Sequence, residues 1–223
     1  MLATAAGPFE GRNIQRAVKR AVDLAVAAVG LTLGAPLLAA IAAAIALDSP
    51  GGVLFWQERV GQGSRLFRVA KFRTMHAGKP VLFNPDGTTR VTAEDERVTR
   101  VGRYLRGALD ELPQLWNVLR GDMSLVGPRP ELPVHAAAYS DDERRRLQVR
   151  PGMTSLVAVL GRDQLAWRTR LALDLRYLDR WSLALDLKIA AQTLLLPLGA
   201  RPFTFAEALD GVELTAASSA RRP

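Results

Sequence analysis

From Leu24 to Leu47 the chain carries no charged residue: LAVAAVGLTLGAPLLAAIAAAIAL. As a straight helix this run is about 36 Å long, enough to cross the hydrocarbon core of a bilayer. A buried helix in a soluble domain seldom stays free of charge over such a length. A membrane is therefore the first constraint on the fold, and three arrangements satisfy it. One is a plain transmembrane helix, kinked at its proline. Another is a signal peptide cleaved near Ala44-Ile45-Ala46, although the run exceeds the roughly 7–15 apolar residues usual in such signals. The third is a re-entrant hairpin that enters and leaves by one face.

Pro36, preceded by Gly34-Ala35, lies near the middle of the run. A proline there removes a helical hydrogen bond and clashes with the preceding turn, so a break is expected at Ala35-Pro36. Each half is then about 18 Å long, too short to reach the far side. The Thr32 hydroxyl, four residues earlier, is placed to satisfy the disturbed backbone. Charge favours the hairpin as well. Arg12, Arg16, Lys19 and Arg20 precede the run, and Arg59, Arg65, Arg68, Lys71 and Arg73 follow it. Cationic flanks favour the cytoplasmic side, and here both ends carry them.

The formal net charge is +8, which points to anionic partners such as phosphorylated molecules, nucleic acid or an anionic lipid surface, with solubility alone an alternative explanation of part of the excess. There is no cysteine, which excludes disulfides, thiolate zinc sites and thiol nucleophiles. The two histidines, His76 and His135, lack metal-ligand spacing and read as incidental.

After the turn-rich Asp48-Ser49-Pro50-Gly51-Gly52, partial alternation on either side of Gly61-Gln62-Gly63-Ser64 predicts a β-hairpin. Residues 77–97 read as a polar surface loop. Thr99 to Gly107 reads as a helix with Arg100, Arg103 and Arg106 on one face. In GALDELPQLWN, Asp110 suits a helix N-cap and Pro113 is tolerable in a first turn. Leu112, Leu115, Trp116 and Leu119 form the apolar stripe behind the two acids, and Gly121 is a stop. GDMSLVGPRPE reads as a loop whose two prolines hold Arg129 on a stiff turn. Helix signals return at 141–149, VRPGMT reads as a turn, and further helices are predicted over 163–180 and 182–196. Those last two suit either a core or a membrane interface.

The stretches KRAVDLAVAAVG, VLFWQERVG, KFRTM, TRVGRYLR, LDELPQLWNVLRGDMSLVGPRPE, VRPGMT and DLRYLDRWSLALDLK, in this order, resemble the bacterial sugar transferases of the monotopic phosphoglycosyl transferase type. The resemblance implies an α+β, mostly helical fold. Its parts are an N-terminal re-entrant helix–break–helix within 1–48, a cytoplasmic catalytic domain over 49–200 with a β-hairpin and interfacial amphipathic helices, and a tail over 201–223. It also implies transfer of a phosphosugar from a UDP-sugar to polyprenyl phosphate at the cytoplasmic face of the bacterial inner membrane, with Mg²⁺ as cofactor. Contacts with lipid, no nucleic-acid partner and the option of a homodimer belong to the same expectation.

Residue by residue, the resemblance makes Asp110 the nucleophile and Glu111 its partner, the two acids being the Mg²⁺ ligands. Arg129 would bind phosphate, with Lys71, Arg73, Arg150, Arg162 and Asp174 as further pocket candidates. Two-step transfer through an aspartyl phosphate suits a carboxylate, and a divalent cation suits two anionic substrates. The sequence departs from the family pattern in three places. Ala35-Pro36 replaces the usual Ser-Pro, Gly107-Ala108 replaces a polar pair, and MTSLVAVLGR lacks a glycine and a glutamine usual after VRPG. Two other classes compete with the enzyme: a membrane-tethered basic protein binding anionic lipid or nucleic acid without chemistry, and an exported protein with a cleaved signal.

Overall fold

The computed structural model describes residues 12–80, 82, 95–161 and 165–196. The apolar run lies in one helix, α1 (Asn13–Asp48), which is long and apolar enough to cross a membrane. Pro36 sits inside this helix, so the predicted break is not an interruption of helical structure. The helix ends where Ser49 turns extended ahead of Pro50.

One stripe of α1 faces the rest of the protein and includes buried Asp23, Ala27, Ile41 and Ile45, at helical spacing. The opposite side exposes Val22, Val26, Val29, Leu33 and Leu37. In an aqueous body such an apolar face is unfavourable, at about 25 cal/mol per Å², which is the physical reason to give it lipid.

The predicted hairpin is present. Strands β1 (Leu54–Val60) and β2 (Leu66–Phe72) pair antiparallel, from Leu54 opposite Phe72 to Val60 opposite Leu66. The turn needs Gly63, at φ 65°, where a β-carbon is disfavoured. Phe67 and Val69 of β2 bury against Ala27 of α1. Next comes α2 (Arg100–Leu105), capped by Thr99, whose Oγ1 accepts from the Gly102 N–H at 2.9 Å. A 3₁₀ turn over Leu109–Glu111 runs into α3 (Gln114–Arg120), which Gly121 closes at φ 88°.

Two three-residue strands lie where loop and turn are predicted. β3 (Ser124–Val126) and β4 (Gly152–Thr154) pair in parallel. Between them stand α4 (Pro133–Ala137) and a 3₁₀ helix over Glu143–Gln148, in place of the helix expected at 141–149. α5 (Leu156–Leu160), α6 (Trp167–Asp179) and α7 (Leu183–Leu195) complete the described chain. Leu173, Tyr177, Leu178, Trp181 and Ile189 form the largest apolar cluster with β3 and α5. Fully burying each side chain of this size stabilises by roughly 1.5–3 kcal/mol. The inner faces of α6 and α7 are therefore core, while α7 exposes Leu187 and Leu194 outward. The tail over 201–223 lies outside the described residues, as does most of the loop at 77–97.

Both halves of α1 are fixed to this one body. On the N-terminal side, Lys19 Nζ donates to Asp186 Oδ2 at 2.6 Å and to Val126 O at 2.9 Å. Asp23 Oδ1 accepts from the Leu125 N–H at 3.0 Å. On the C-terminal side, Ile41 and Ile45 pack with Phe72 and Leu105, and Asp48 Oδ2 accepts from the Val101 N–H at 2.9 Å.

Candidate active site

The acid pair occupies the 3₁₀ turn ahead of α3. Asp110 does not cap α3. Leu112 and Pro113 already have helical dihedrals, so the turn and helix run on, and Pro113 stands at the cap position. Asp110 instead closes a tight loop on its N-terminal side, where its Oδ1 accepts from the Gly107 N–H at 3.0 Å. Gly107 has φ 97°, a conformation that suits glycine and accounts for the residue found there.

Glu111 is held differently. It is buried, and its Oε1 accepts from Lys71 Nζ at 2.8 Å, with Arg129 Nη2 at 3.9 Å. β2 supplies Lys71, and the turn after β3 supplies Arg129. The structure thus brings the two acids, Lys71 and Arg129 together.

The turn carrying Arg129 is fastened on both sides. Arg59 of β1 donates to Pro130 O at 3.1 Å, and the Val60 N–H bonds to Glu131 O at 3.0 Å. From below, Arg146 donates to Arg129 O at 2.9 Å and pairs with Asp174 and the Tyr139 hydroxyl. Glu131 accepts from His135 Nδ1 at 3.2 Å, so His135 has a local partner beside the site.

Charge is crowded here. Burial, then nearby Arg129, holds the Arg59 guanidinium down at about 10. Burial also lowers Lys71, against the pull of Glu111. Burial pushes the Asp110 carboxyl up, with Lys71 opposing and Glu111 reinforcing the rise. The Gly107 N–H and Arg106 also pull Asp110 down. Arg106 carries a buried Nη1 with no hydrogen-bond partner among the described residues. A guanidinium N–H without a hydrogen-bond partner, close enough to Asp110 to act on its carboxyl, is a donor suited to an anion.

The remaining candidates are placed elsewhere. Arg73 is buried and donates to Ser49 O and Pro50 O, both at 2.8 Å, so it secures the end of α1 and does not face the acids. Arg150 Nε donates to Gly121 O at 3.0 Å, at the opposite end of α3 from Asp110. Asp174 is buried under the Arg129 turn against Arg146, a support and not a pocket wall. Burial pushes its carboxyl up to about 6, with Arg146 the main opposing influence. Arg162 lies outside the described residues. Arg59, Arg146 and Glu131 are neighbours of the site that sequence reasoning misses, and Arg106 enters that reasoning only as one of three arginines on a basic helix face suited to phosphate or headgroups. The signals were slight: for Arg59 an arginine beside the hairpin turn, for Glu131 a glutamate next to the GPRP prolines, and for Arg146 only its place in the run ERRR.

Among the described residues no group of three or more histidines and acids could hold a metal ion. Two adjacent carboxylates with no third protein ligand still match Mg²⁺, which takes one or two carboxylates and completes its shell with phosphate and water. The raised Asp110 carboxyl fits too, because an added cation offsets the cost of its charge.

An apolar helix laid along a small α+β body, with paired acids beside the arginine turn, defines the architecture around the candidate site. The chain matches the bacterial sugar transferase family over residues 14–199 and belongs to that family. It is 47% identical over 156 residues to the UDP-glucose:undecaprenyl-phosphate glucose-1-phosphate transferase of Caulobacter vibrioides, an alignment covering 66% of this chain and 57% of that protein. It is 44% identical over 162 residues to the undecaprenyl-phosphate glucose phosphotransferase of Komagataeibacter xylinus, covering 66% of this chain and 30% of that one. The undecaprenyl-phosphate galactose phosphotransferase of Salmonella typhimurium is 41% identical over 156 residues, covering 64% and 33% respectively. The chain therefore spans between three tenths and somewhat over half of the length of these relatives.

Proposed function

We propose that the protein transfers a phosphosugar from a UDP-sugar to undecaprenyl phosphate, giving a polyprenyl-diphosphate-sugar and UMP. The observation that carries the reading is the unequal treatment of two adjacent acids. Glu111 is tied to Lys71 and Arg129, whereas Asp110 has no ion-pair partner among the described residues and bonds only to a backbone N–H. That leaves Asp110 as the carboxylate free to attack. Its oxygen forms a bond to the sugar-bearing phosphorus, and the bond from that phosphorus to the bridging oxygen breaks, with the electron pair leaving on UMP. The phosphate oxygen of the polyprenyl acceptor then attacks the same phosphorus, and the acyl-phosphate bond to Asp110 breaks.

Lys71 and Arg129 hold phosphoryl oxygens and orient the β-phosphorus, and the Arg59 and Arg146 fastenings fix the Arg129 fork. Asp110 and Glu111 would hold Mg²⁺, which would polarise phosphoryl oxygens and compensate leaving-group charge. We place α1 as a re-entrant element, with the body on the cytoplasmic face. Support comes from the attachment of both halves of the helix to the same body, its exposed apolar side and its cationic flanks.

The test is UMP release by the full chain with undecaprenyl phosphate and a panel of UDP-sugars beginning with glucose and galactose. Asp110→Asn should reduce turnover by on the order of a thousandfold or more, and the wild type incubated with donor alone should gain the mass of a sugar phosphate. Wild-type turnover in Asp110→Asn would remove the nucleophile assignment.

A further inference from the structure

Away from the acid pair, at the other end of α3, a small cavity is lined by Arg16, Lys19, Arg20, Asp23, Ser124 and Arg150, among others. One helix length separates it from Asp110, on the order of 15 Å. Four cations line it with Asp23; of these Lys19 is already paired with Asp186, and Asp23 is engaged with the Leu125 N–H.

Part of this charge has a local purpose. Arg20 donates to Val118 O at 2.8 Å and Leu119 O at 3.2 Å, and Arg150 Nε donates to Gly121 O, so both cap the C-terminal carbonyls of α3. Capping does not account for two groups of the cavity, the end of Arg150 and the Ser124 hydroxyl. The terminal nitrogens of Arg150 have no protein partner among the described residues. Ser124 is 1% exposed, and its Oγ has no hydrogen-bond partner. A buried hydroxyl without a partner is costly, and one beside several guanidinium groups is arranged for an acceptor. Arg150 is held below its ordinary value by burial and then by Arg20 and Arg16, so the arginines crowd one another. An anion would relieve both costs at once.

We propose that this cavity is a second anion site, which binds a phosphate group through Arg150, Arg20, Arg16 and the Ser124 hydroxyl. Arg16, Lys19 and Arg20 lie just ahead of the uncharged run that begins at Leu24, at the depth of a headgroup if α1 is in lipid. The phosphate can therefore come from an anionic lipid or from solution. The proposal does not depend on the transfer reaction.

Two measurements on the detergent-solubilised or vesicle-bound full chain separate the sources. One is calorimetric titration with inorganic phosphate. The other is flotation with phosphatidylcholine vesicles, with and without phosphatidylglycerol. Arg150→Gln should weaken phosphate binding about tenfold or more, and Ser124→Ala about threefold, while Lys71→Ala leaves this binding in place. Ser124→Ala removes only a hydroxyl that has no partner, so its ligand-free stability should not fall even if Arg150→Gln folds poorly. Loss confined to inorganic phosphate supports the site with a soluble ligand, and loss of the phosphatidylglycerol-dependent flotation supports it with a lipid headgroup. The proposal is overturned if wild type shows neither behaviour, if both variants match wild type in both measurements, or if phosphate binding disappears in Lys71→Ala instead. The arginines would then be helix caps alone.

Discussion

Lys71 answers to two carboxylates at once. Its ammonium bonds Glu111 directly and is also the strongest influence drawing the Asp110 carboxyl back down from where burial pushes it. A nucleophilic carboxylate must be ionised, so activity should fall as pH drops through the raised Asp110 value. The acid limb of kcat/KM belongs to the free enzyme and should lie above the ordinary aspartate value of about 3.9. Removing the ammonium takes away a lowering influence, so Lys71→Met should move that limb to still higher pH, besides lowering the plateau. A pH profile of UMP release checks it, and a limb that stays put or moves to lower pH would contradict the assignment. Asp174 illustrates another relation between residue and site. Ionised at neutral pH even when pushed up to about 6, it acts on phosphate chemistry only through Arg146 and the turn above it.

At the scale of elements, α3 is too short to hold itself in place, since isolated helices of two turns are marginal. Asn117 holds it. The buried side chain accepts from the Ala70 N–H at 2.9 Å and donates to Arg68 O at 2.7 Å, fastening the helix to the strand that carries Lys71. Asn117→Ala would lose both bonds and leave a buried N–H unpaired, so it should destabilise by about 2–4 kcal/mol in chemical denaturation, with Lys71 displaced from Glu111. The sequence showed α3, its glycine stop and the acids before it, because those are local signals. It misplaced one residue of the apolar stripe, for Leu112, Leu115 and Leu119 do pack inward. A stripe counted from Leu112 at 3.6 residues per turn puts Trp116 inside, but the 3₁₀ turn that precedes α3 shifts the phase. Trp116 is 49% exposed, whereas Asn117 and Val118 are buried. β3 and β4 are too short to show alternation. The fastenings of Arg59 and Arg146 join residues far apart in the chain, and spacing carries no trace of such partners. The Asp110–Glu111–Arg129 constellation was legible only through the family resemblance, for the same reason.

For the whole molecule, the decisive relation is between α1 and everything else. A simple span would place Lys19 and Asp48 on opposite sides of the bilayer, yet Lys19 bonds Asp186 and Asp48 bonds the Val101 N–H of one continuous body. Since the chain has no cysteine, Gln15→Cys and Gly52→Cys can each be labelled alone with a membrane-impermeant thiol reagent in oriented vesicles. Both should react from the same side. Reaction from opposite sides would rule out the re-entrant arrangement and force one half of the helix off the body.

The Lys19–Asp186 bond, across 167 positions, also sets an order of events in time. Translation at about 5–20 residues per second separates the emergence of the two partners by roughly 10–30 s. Throughout that interval α1 exists without the surface that later covers its inner stripe, and Lys19 and Asp23 are uncompensated. On the re-entrant reading proposed above, lipid receives the helix before the body exists. Docking must then follow as a closing step made from the membrane surface, with α7 among the last elements to arrive.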